Sequence, residues 1–328
     1  MSAEITEKGA VLLGRNVACD AHEDRPIRVV THAHSDHIIN LTQSISECAL
    51  IVTTPATKEL IDILRGSMLS LLFRTQLLDY EKPLRFADEC ITLFPAEHII
   101  GSAQVLVEDA EGTRVVYTGD FKLPNAPIIP SDILVMESTY GNPANTRPFK
   151  ESVEAELIAL IRKGLKFGSV YIFGYHGKLQ EMIGILHEAG VDTPIIVPER
   201  VYQIAKICEK YGMKLGDYLS SKSDEAKEVV KRQQPYIGIF HMGAKRYVGK
   251  NATRLYLSGW EFGAPSRQIG DREYIVALSD HSDFEQLIDY ARESSPKLVI
   301  TDNYRVGNAP VLAREITKRL KIPAKSMP

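Results

Sequence analysis

The stretch THAHSDH, residues 31–37, brings three histidines and an aspartate together within six positions. It follows the apolar run IRVV, which predicts a strand that ends at the cluster. On a strand end, His32 and His34 are two residues apart and point to the same side. The chain then turns and presents Asp36 and His37. Four ligands from one strand end cannot all reach one tetrahedral ion. Zinc takes four ligands, and a catalytic site keeps one position open for water. The spacing predicts two neighbouring metal sites.

Two such sites need further ligands, which the chain offers at the ends of other predicted strands. His98 follows CITLFPAE, and Asp120 ends RVVYTGD. Taken alone, His98 could be a packed imidazole and Asp120 a turn aspartate. Beside the first cluster, both become candidate ligands.

The pattern of predicted elements changes along the chain. The first 140 residues are mostly short strands, with one helix predicted around residues 57–68. After residue 150, helical and strand patterns alternate, which is typical of parallel strands in an α/β unit. The change predicts a second domain at 145–268, inserted into a first domain formed by 1–144 and 269–328.

Composition restricts the class of protein. The chain has 328 residues, a formal charge of −3 and four cysteines that form no CxxC pair. These values favour a protein with reduced thiols and no overall attraction to nucleic acid. No signal peptide and no bilayer-spanning run is evident. We therefore expect a soluble, cytoplasmic protein without a membrane partner.

The motifs THAHSDH, EHIIGSA and TGDF resemble the successive metal motifs of the metallo-β-lactamase fold. The resemblance implies an αββα sandwich with a dinuclear site at its edge. It assigns His32, His34 and His98 to one ion, Asp36 and His37 to the other, and Asp120 to a bridging position. Asp20, in NVACDA, matches an early aspartate that supports the ligands from behind.

Three further stretches resemble the β-CASP nucleases, a branch of that superfamily that includes mRNA 3′-end-processing factors and Artemis-like enzymes. They are DILVMESTYGN (132–142), GYHGKLQEMIGIL (174–186) and the segment around SDHSDF (279–284). Lys178 stands where the family has arginine. The resemblance implies that 145–268 is the inserted α/β β-CASP domain.

Glu137 and His281 form a predicted acid–base pair. A carboxylate bound to one imidazole nitrogen raises the basicity of the ring, so the other nitrogen can donate a proton to a leaving alkoxide. Asp36 would help to hold the attacking water. Each residue also has a structural interpretation, as a turn carboxylate or an exposed imidazole at a helix start.

The chain departs from the family at LVITDNYRVG, where Asp302 replaces the histidine of a third signature. Artemis-like nucleases also lack this histidine. Asp302 could ligate the second ion or could be a turn residue, and both interpretations stay open. The expected cofactors are two divalent ions, with zinc favoured and the second site weaker or better suited to Mn²⁺.

Predicted nucleic-acid contacts complete the interpretation. The stretch KRYVGKNATR carries Lys245, Arg246 and Lys250, and Lys178 is a further candidate. A solvated loop is the alternative. The sequence thus predicts a metal-dependent phosphodiesterase of single-stranded RNA or DNA that acts in RNA processing. A small-molecule hydrolase of the glyoxalase II or lactamase type and a non-catalytic scaffold are the alternatives. RNA versus DNA, endo- versus exonuclease, and a homo-oligomeric state stay open.

Overall fold

The computed structural model describes residues 1–66, 74–249 and 252–328. Its strands are β1 (Ala3–Ile5), β2 (Val11–Leu13), β3 (Val17–Cys19), β4 (Ile27–Val29), β5 (Leu50–Thr53), β6 (Thr75–Leu77), β7 (Leu84–Phe86), β8 (Glu89–Pro95), β9 (Ala103–Asp109), β10 (Arg114–Tyr117), β11 (Ile133–Met136), β12 (Val170–Gly174), β13 (Ile195–Val197), β14 (Leu219–Ser220), β15 (Ile237–His241), β16 (Thr253–Leu257), β17 (Ser266–Gly270), β18 (Glu273–Val276), β19 (Leu298–Asp302) and β20 (Ala324–Met327). Its α-helices are α1 (Leu41–Glu47), α2 (Pro55–Arg65), α3 (Val153–Leu165), α4 (Lys178–Glu188), α5 (Glu199–Lys210), α6 (Asp224–Lys231), α7 (Phe284–Ser294) and α8 (Ala309–Leu320).

The chain divides into two compact units, and the first is formed by both ends of the sequence. Residues Met1–Thr146 and His281–Pro328 form unit 1, and Arg147–Asp280 form unit 2. The sequence pattern predicted the return to the first domain at residue 269. The structure places it at His281 because β17 and β18 join the sheet of unit 2.

Unit 1 contains two sheets. The first has the order β1-β2-β3-β4-β5-β6 and is parallel from β3 onward. The second has the order β20-β19-β11-β10-β9-β8-β7, with β20 to β10 parallel and β10 to β7 antiparallel. Carboxyl ends of parallel strands meet at one edge of a sheet, which is where α/β proteins place functional side chains.

One apolar core joins the two sheets of unit 1. Val17, Val29 and Val52 from the first sheet pack with Val105 and Val135 from the second. A separate core covers the other face of the second sheet, where α7 and α8 lie. Its largest members are Phe121, Phe284 and Tyr290. Burial of these faces supplies the main stabilising free energy of the layers.

Unit 2 is an α/β unit built on one sheet, in the order β14-β13-β15-β12-β16-β18-β17. All its strand pairs are parallel except β17 with β18. This confirms the alternating pattern that the sequence predicted after residue 150. Among the described residues, no helix is long and apolar enough to cross a lipid bilayer.

Candidate metal centre

The candidate ligands lie where strands of unit 1 end. His32 and His34 follow β4, Asp120 follows β10, and His98 lies in the loop between β8 and β9. The backbone N–H of Ala103, the first residue of β9, donates to the carbonyl of Thr31 at 2.9 Å. This bond ties the two sheets together beside the histidines.

Four ligand atoms form one compact cluster: His32 Nε2, His34 Nδ1, His98 Nε2 and Asp120 Oδ2. His34 Nδ1 lies 3.2 Å from His32 Nε2 and 3.0 Å from His98 Nε2. Asp120 Oδ2 lies 3.6 Å from the Nε2 atoms of both His32 and His98. Ligands of a tetrahedral ion with bonds of about 2.0–2.1 Å stand about 3.3 Å apart. These residues therefore fit a zinc-like ion.

His37 faces a second, less complete set of donors. Its buried Nε2 lies 3.4 Å from Asp120 Oδ2 and 3.7 Å from Asp36 Oδ2, without the alignment of a hydrogen bond. A buried nitrogen without a hydrogen-bond partner, directed at two carboxylates, fits a metal ligand. Asp120 Oδ2 is shared by both sets of donors, as a bridging ligand would be.

Asp20 orients His37 from behind. Its Oδ2 lies 2.7 Å from His37 Nδ1 and accepts a hydrogen bond from the Thr31 hydroxyl at 2.8 Å. Asp20 is fully buried and has a left-handed backbone, with φ of 63°. A carboxylate on one imidazole nitrogen fixes the tautomer that leaves the other nitrogen available to a metal. The structure thus places Asp20 in contact with the candidate ligand His37.

Burial and neighbouring charges shift the protonation of the centre. Burial lowers the pKa of His32 well below its ordinary value. Burial also acts to lower the pKa of His37, but the Asp120 and Asp20 carboxylates outweigh it and raise that pKa to about 10. Burial acts to raise the pKa of Asp120, yet the adjacent His37 holds it well below the usual range. A proton and a metal ion therefore compete for His37.

Glu137 and His281 meet beside this centre. His281 Nδ1 lies 2.9 Å from Glu137 Oε2, and Glu137 Oε1 accepts the N–H of Phe121 at 2.8 Å. The ring centroids of His281 and His98 are 4.5 Å apart. Burial raises the pKa of Glu137, and His281 offsets part of that effect. The structure therefore brings the predicted acid–base pair against the ligands.

Three further residues of ESTYG, namely Ser138, Tyr140 and Gly141, have contacts that the sequence did not predict. Ser138 Oγ donates to the carbonyl of Asp302, and the carbonyl of Ser138 accepts the N–H of Asn308 at 2.8 Å. The buried Tyr140 ring meets His281 edge-on at 5.7 Å. A Cβ on Gly141 would lie 2.8 Å from the carbonyl oxygen of Asn308. This motif thus joins the acid–base pair to the 302–308 loop.

In this structure Asp302 makes the contacts of the alternative interpretation, a turn residue. Asp302 Oδ2 pairs with Arg305 Nη1 at 2.6 Å, and Oδ1 accepts the N–H groups of Tyr304 and Arg305. The role of Arg305 was not predicted from the sequence. Its position three residues after an aspartate in a turn was the available signal.

The predicted nucleic-acid contacts differ in their surroundings within unit 2. Lys178 Nζ pairs with Asp280 Oδ1 at 2.5 Å, and both side chains are largely buried, so Lys178 is not an exposed phosphate contact. Lys245 and Arg246 are exposed in the 3₁₀ turn after β15. Lys250 is outside the described residues. Arg254, from the same stretch, is buried and pairs with Glu273 at 2.9 Å.

Known proteins resemble the chain over different lengths. No family model matches it. An uncharacterized protein in the lig 3′ region of Acidianus ambivalens is 37% identical over 42% of this chain and 99% of its own length. A probable RNase MJ4 of Methanocaldococcus jannaschii is 26% identical, over 69% of this chain and 62% of its own length. A probable DNA ligase of Opitutus terrae is 26% identical, over 86% of this chain but 27% of the ligase.

A solved structure shares the fold. The crystal structure of a protein of unknown function from Enterococcus faecalis superimposes with a TM-score of 0.59 at 13% identity, over 94% of this chain and 80% of that chain. Taken with the relatives and the motifs, the chain belongs to the β-CASP family of the metallo-β-lactamase superfamily. The chain spans only part of the probable RNase and of the probable DNA ligase.

Proposed function

We propose that this protein is a metal-dependent phosphodiesterase that cleaves single-stranded nucleic acid. The observation that carries the proposal is the position of His281 and Glu137 against the four-ligand cluster, since Asp120, Glu137 and His281 themselves form a close group. In this proposal unit 1 is the metallo-β-lactamase αββα sandwich, and unit 2 is its inserted β-CASP domain.

The cofactor of the proposed reaction is a divalent ion, with zinc favoured by the three imidazoles and one carboxylate of the cluster. His32, His34, His98 and Asp120 would hold it, and His37 with Asp36 would hold a second. Bound there, such ions supply polarisation of a phosphoryl oxygen and a stronger water nucleophile at neutral pH.

The chain supplies the proton for the leaving group. Glu137 accepts from His281 Nδ1, which leaves Nε2 as the nitrogen that donates to the departing oxygen of the nucleic acid. Asp36 and Asp120 orient the attacking water on the opposite side of the phosphorus. A general acid matters most for an alkoxide, which is a poor leaving group. This requirement favours a phosphodiester of nucleic acid over an activated small molecule.

The names of relatives support nucleic acid but suggest different polymers. One relative is a probable RNase, and another is a probable DNA ligase in which the matching region covers 27% of the length. We therefore propose RNA processing as the principal role and DNA as the second substrate to test. The candidate ligands are all present in the described part of the chain, which argues against a non-catalytic scaffold.

The carboxyl edge of the unit 2 sheet is the proposed contact surface for the strand. Tyr175 follows β12 and is 54% exposed, and Trp260 follows β16 and is 52% exposed. The Tyr175 ring lies 5.2 Å from the ring of His241, at the end of β15. Lys245 and Arg246 follow in the same loop. Exposed aromatic rings stack on bases while basic side chains meet phosphates, and ligands of α/β sheets bind at this edge.

A digest of end-labelled single-stranded RNA and DNA of one sequence tests the function. The protein is loaded with Zn²⁺ or Mn²⁺ and compared with chelator-treated protein. Metal-dependent cleavage of either polymer supports the proposal, and labels at each end report the polarity. Hydrolysis of a thioester or lactam substrate, with both polymers intact, would show a small-molecule hydrolase instead.

A further inference from the structure

Arg305 brings a fixed positive charge to the side of the centre where His37 and Asp36 lie. Its side chain is 8% exposed. Its guanidinium contacts one side chain within its own turn and two backbone carbonyls outside that turn. Nη1 pairs with Asp302 Oδ2 at 2.6 Å, while Nη2 donates to the carbonyls of Gly9 at 3.2 Å and Asp36 at 3.3 Å. Arg305 therefore holds the turn that presents Asp36.

The guanidinium stays charged despite its burial. Burial acts to lower the pKa of Arg305, but Tyr117, Asp302 and Asp20 outweigh it, and the pKa lies above the usual range. The same charge lies against the turn that carries Asp36 and His37, since Arg305 Nη2 contacts the Asp36 carbonyl. A permanent cation beside a histidine disfavours a divalent ion on that histidine, because like charges repel strongly in a buried site.

The loop that carries Arg305 cannot easily move away. The carbonyl of Ser138 accepts the N–H of Asn308 at 2.8 Å, and Ser138 Oγ donates to the carbonyl of Asp302. A Cβ on Gly307 would lie 2.2 Å from the carbonyl oxygen of Ser138, so the loop packs directly on the backbone after β11. The packing of this loop on the backbone of unit 1 therefore fixes the position of Arg305.

We propose that Arg305, paired with Asp302, takes the place of a protein ligand for the second ion. The protein then binds one divalent ion tightly at His32, His34, His98 and Asp120, and a second only weakly at His37 and Asp36. Arg305 acts as a positioning residue for the Asp36 turn and as a fixed charge. This inference rests on the proposed metal centre, and it concerns the number of ions rather than the presence of one.

Metal counting tests the proposal. Wild-type protein is loaded with Zn²⁺, dialysed against a weak chelator and analysed by mass spectrometry of the metal, and calorimetry gives the affinity of each ion. We expect about one ion per wild-type chain. Arg305→Met removes the charge and releases the Asp302 carboxylate, so we expect at least a tenfold gain in affinity for the second ion and no change at the first.

Three variants accompany this test. Arg305→Lys keeps the charge and should stay near one ion. Asp302→Leu combined with Arg305→Met replaces the buried pair by apolar groups, which proteins often tolerate. It should still gain second-ion affinity, and it carries the test if the single variant does not fold. Arg319→Met removes the arginine of an exposed pair with Glu285, 2.9 Å apart, and should leave both affinities unchanged.

The outcomes separate this inference from the proposed function. Two tightly held ions in wild type, or a second-ion affinity unchanged in both folded Arg305→Met variants, would overturn the inference while leaving the metal centre in place. A wild-type chain that binds no ion at all would overturn the proposed function itself.

Discussion

His281 and Glu137 are 144 residues apart in the chain, yet His281 Nδ1 lies 2.9 Å from Glu137 Oε2. Glu137 follows β11, and His281 precedes α7, whose residues Phe284 and Leu287 pack on the second sheet of unit 1. The pair is therefore held by a strand and a helix that share one core. Rigid elements of this kind hold an acid–base pair more accurately than loops do.

His281→Ala should retain bound metal and lose on the order of 10²–10⁴ in rate on RNA or DNA, since His281 is the proposed proton donor to the leaving alkoxide. An aryl phosphodiester with a good leaving group should lose much less. Rates on both substrates check this, with metal content as the control. Equal losses on the two substrates would exclude the general-acid role.

Glu137→Gln removes the charge beside His281 and keeps the shape of the side chain. We expect a smaller loss on nucleic acid than in His281→Ala, because the imidazole remains but its basicity and tautomer are no longer set by a carboxylate. The pH–rate profile should also shift in Glu137→Gln. An unshifted profile with a reduced rate would indicate that Glu137 acts only as the acceptor for the backbone N–H of Phe121.

His34→Ala should abolish metal-dependent activity and empty the four-ligand cluster without unfolding the protein. His34 Nδ1 lies within 3.2 Å of two other ligand nitrogens, so its loss removes the central donor. Metal analysis and circular dichroism check this. His187→Ala, at an exposed histidine of unit 2, is the matched control. Full metal content in His34→Ala would contradict the assignment of His34 as a metal ligand.

Asp20→Asn should weaken the ion at His37 about 10- to 100-fold, which is the usual cost of removing the partner that orients a ligating histidine. Asp20 also accepts from Thr31, so the variant should lose some stability as well. Calorimetric titration with Zn²⁺ and thermal unfolding separate the two effects. If second-ion affinity stays at the wild-type value, Asp20 has a structural role alone.

Tyr175→Ala and Trp260→Ala should each weaken binding of single-stranded substrate by roughly 5- to 150-fold, the range for loss of one base–aromatic stack. The KM should rise while kcat changes little. Phe167→Ala is the control, since Phe167 is 65% exposed but precedes β12 and so lies at the opposite edge of the sheet. An equal effect in Phe167→Ala would contradict the proposal that the substrate binds at the carboxyl edge of the sheet.

The sequence alone determined the local features of this protein. The spacing of His32, His34, Asp36 and His37 predicted a cluster of ligands, because period-two alternation and a single turn decide where such near neighbours point. Alternating helical and strand patterns after residue 150 also predicted the α/β unit, because an amphipathic face is encoded by near neighbours in the chain.

Some features depended on pairs far apart and were only partly predictable. The meeting of His281 with Glu137 came from a resemblance to a family, since no local pattern specifies a contact across 144 residues. The end of the inserted unit was placed too early, because the sequence does not show which sheet β17 and β18 join.

Only the tertiary structure decided which charged groups are available to solvent or metal. Lys178 looked like a phosphate contact until Asp280, 102 residues away, was seen to pair with it. Asp302 looked equally suited to a metal or to a turn, and Arg305 decided between them by pairing with it. A charged side chain in a buried setting must find a partner, and its identity depends on which chain segments the fold packs together rather than on the spacing of residues.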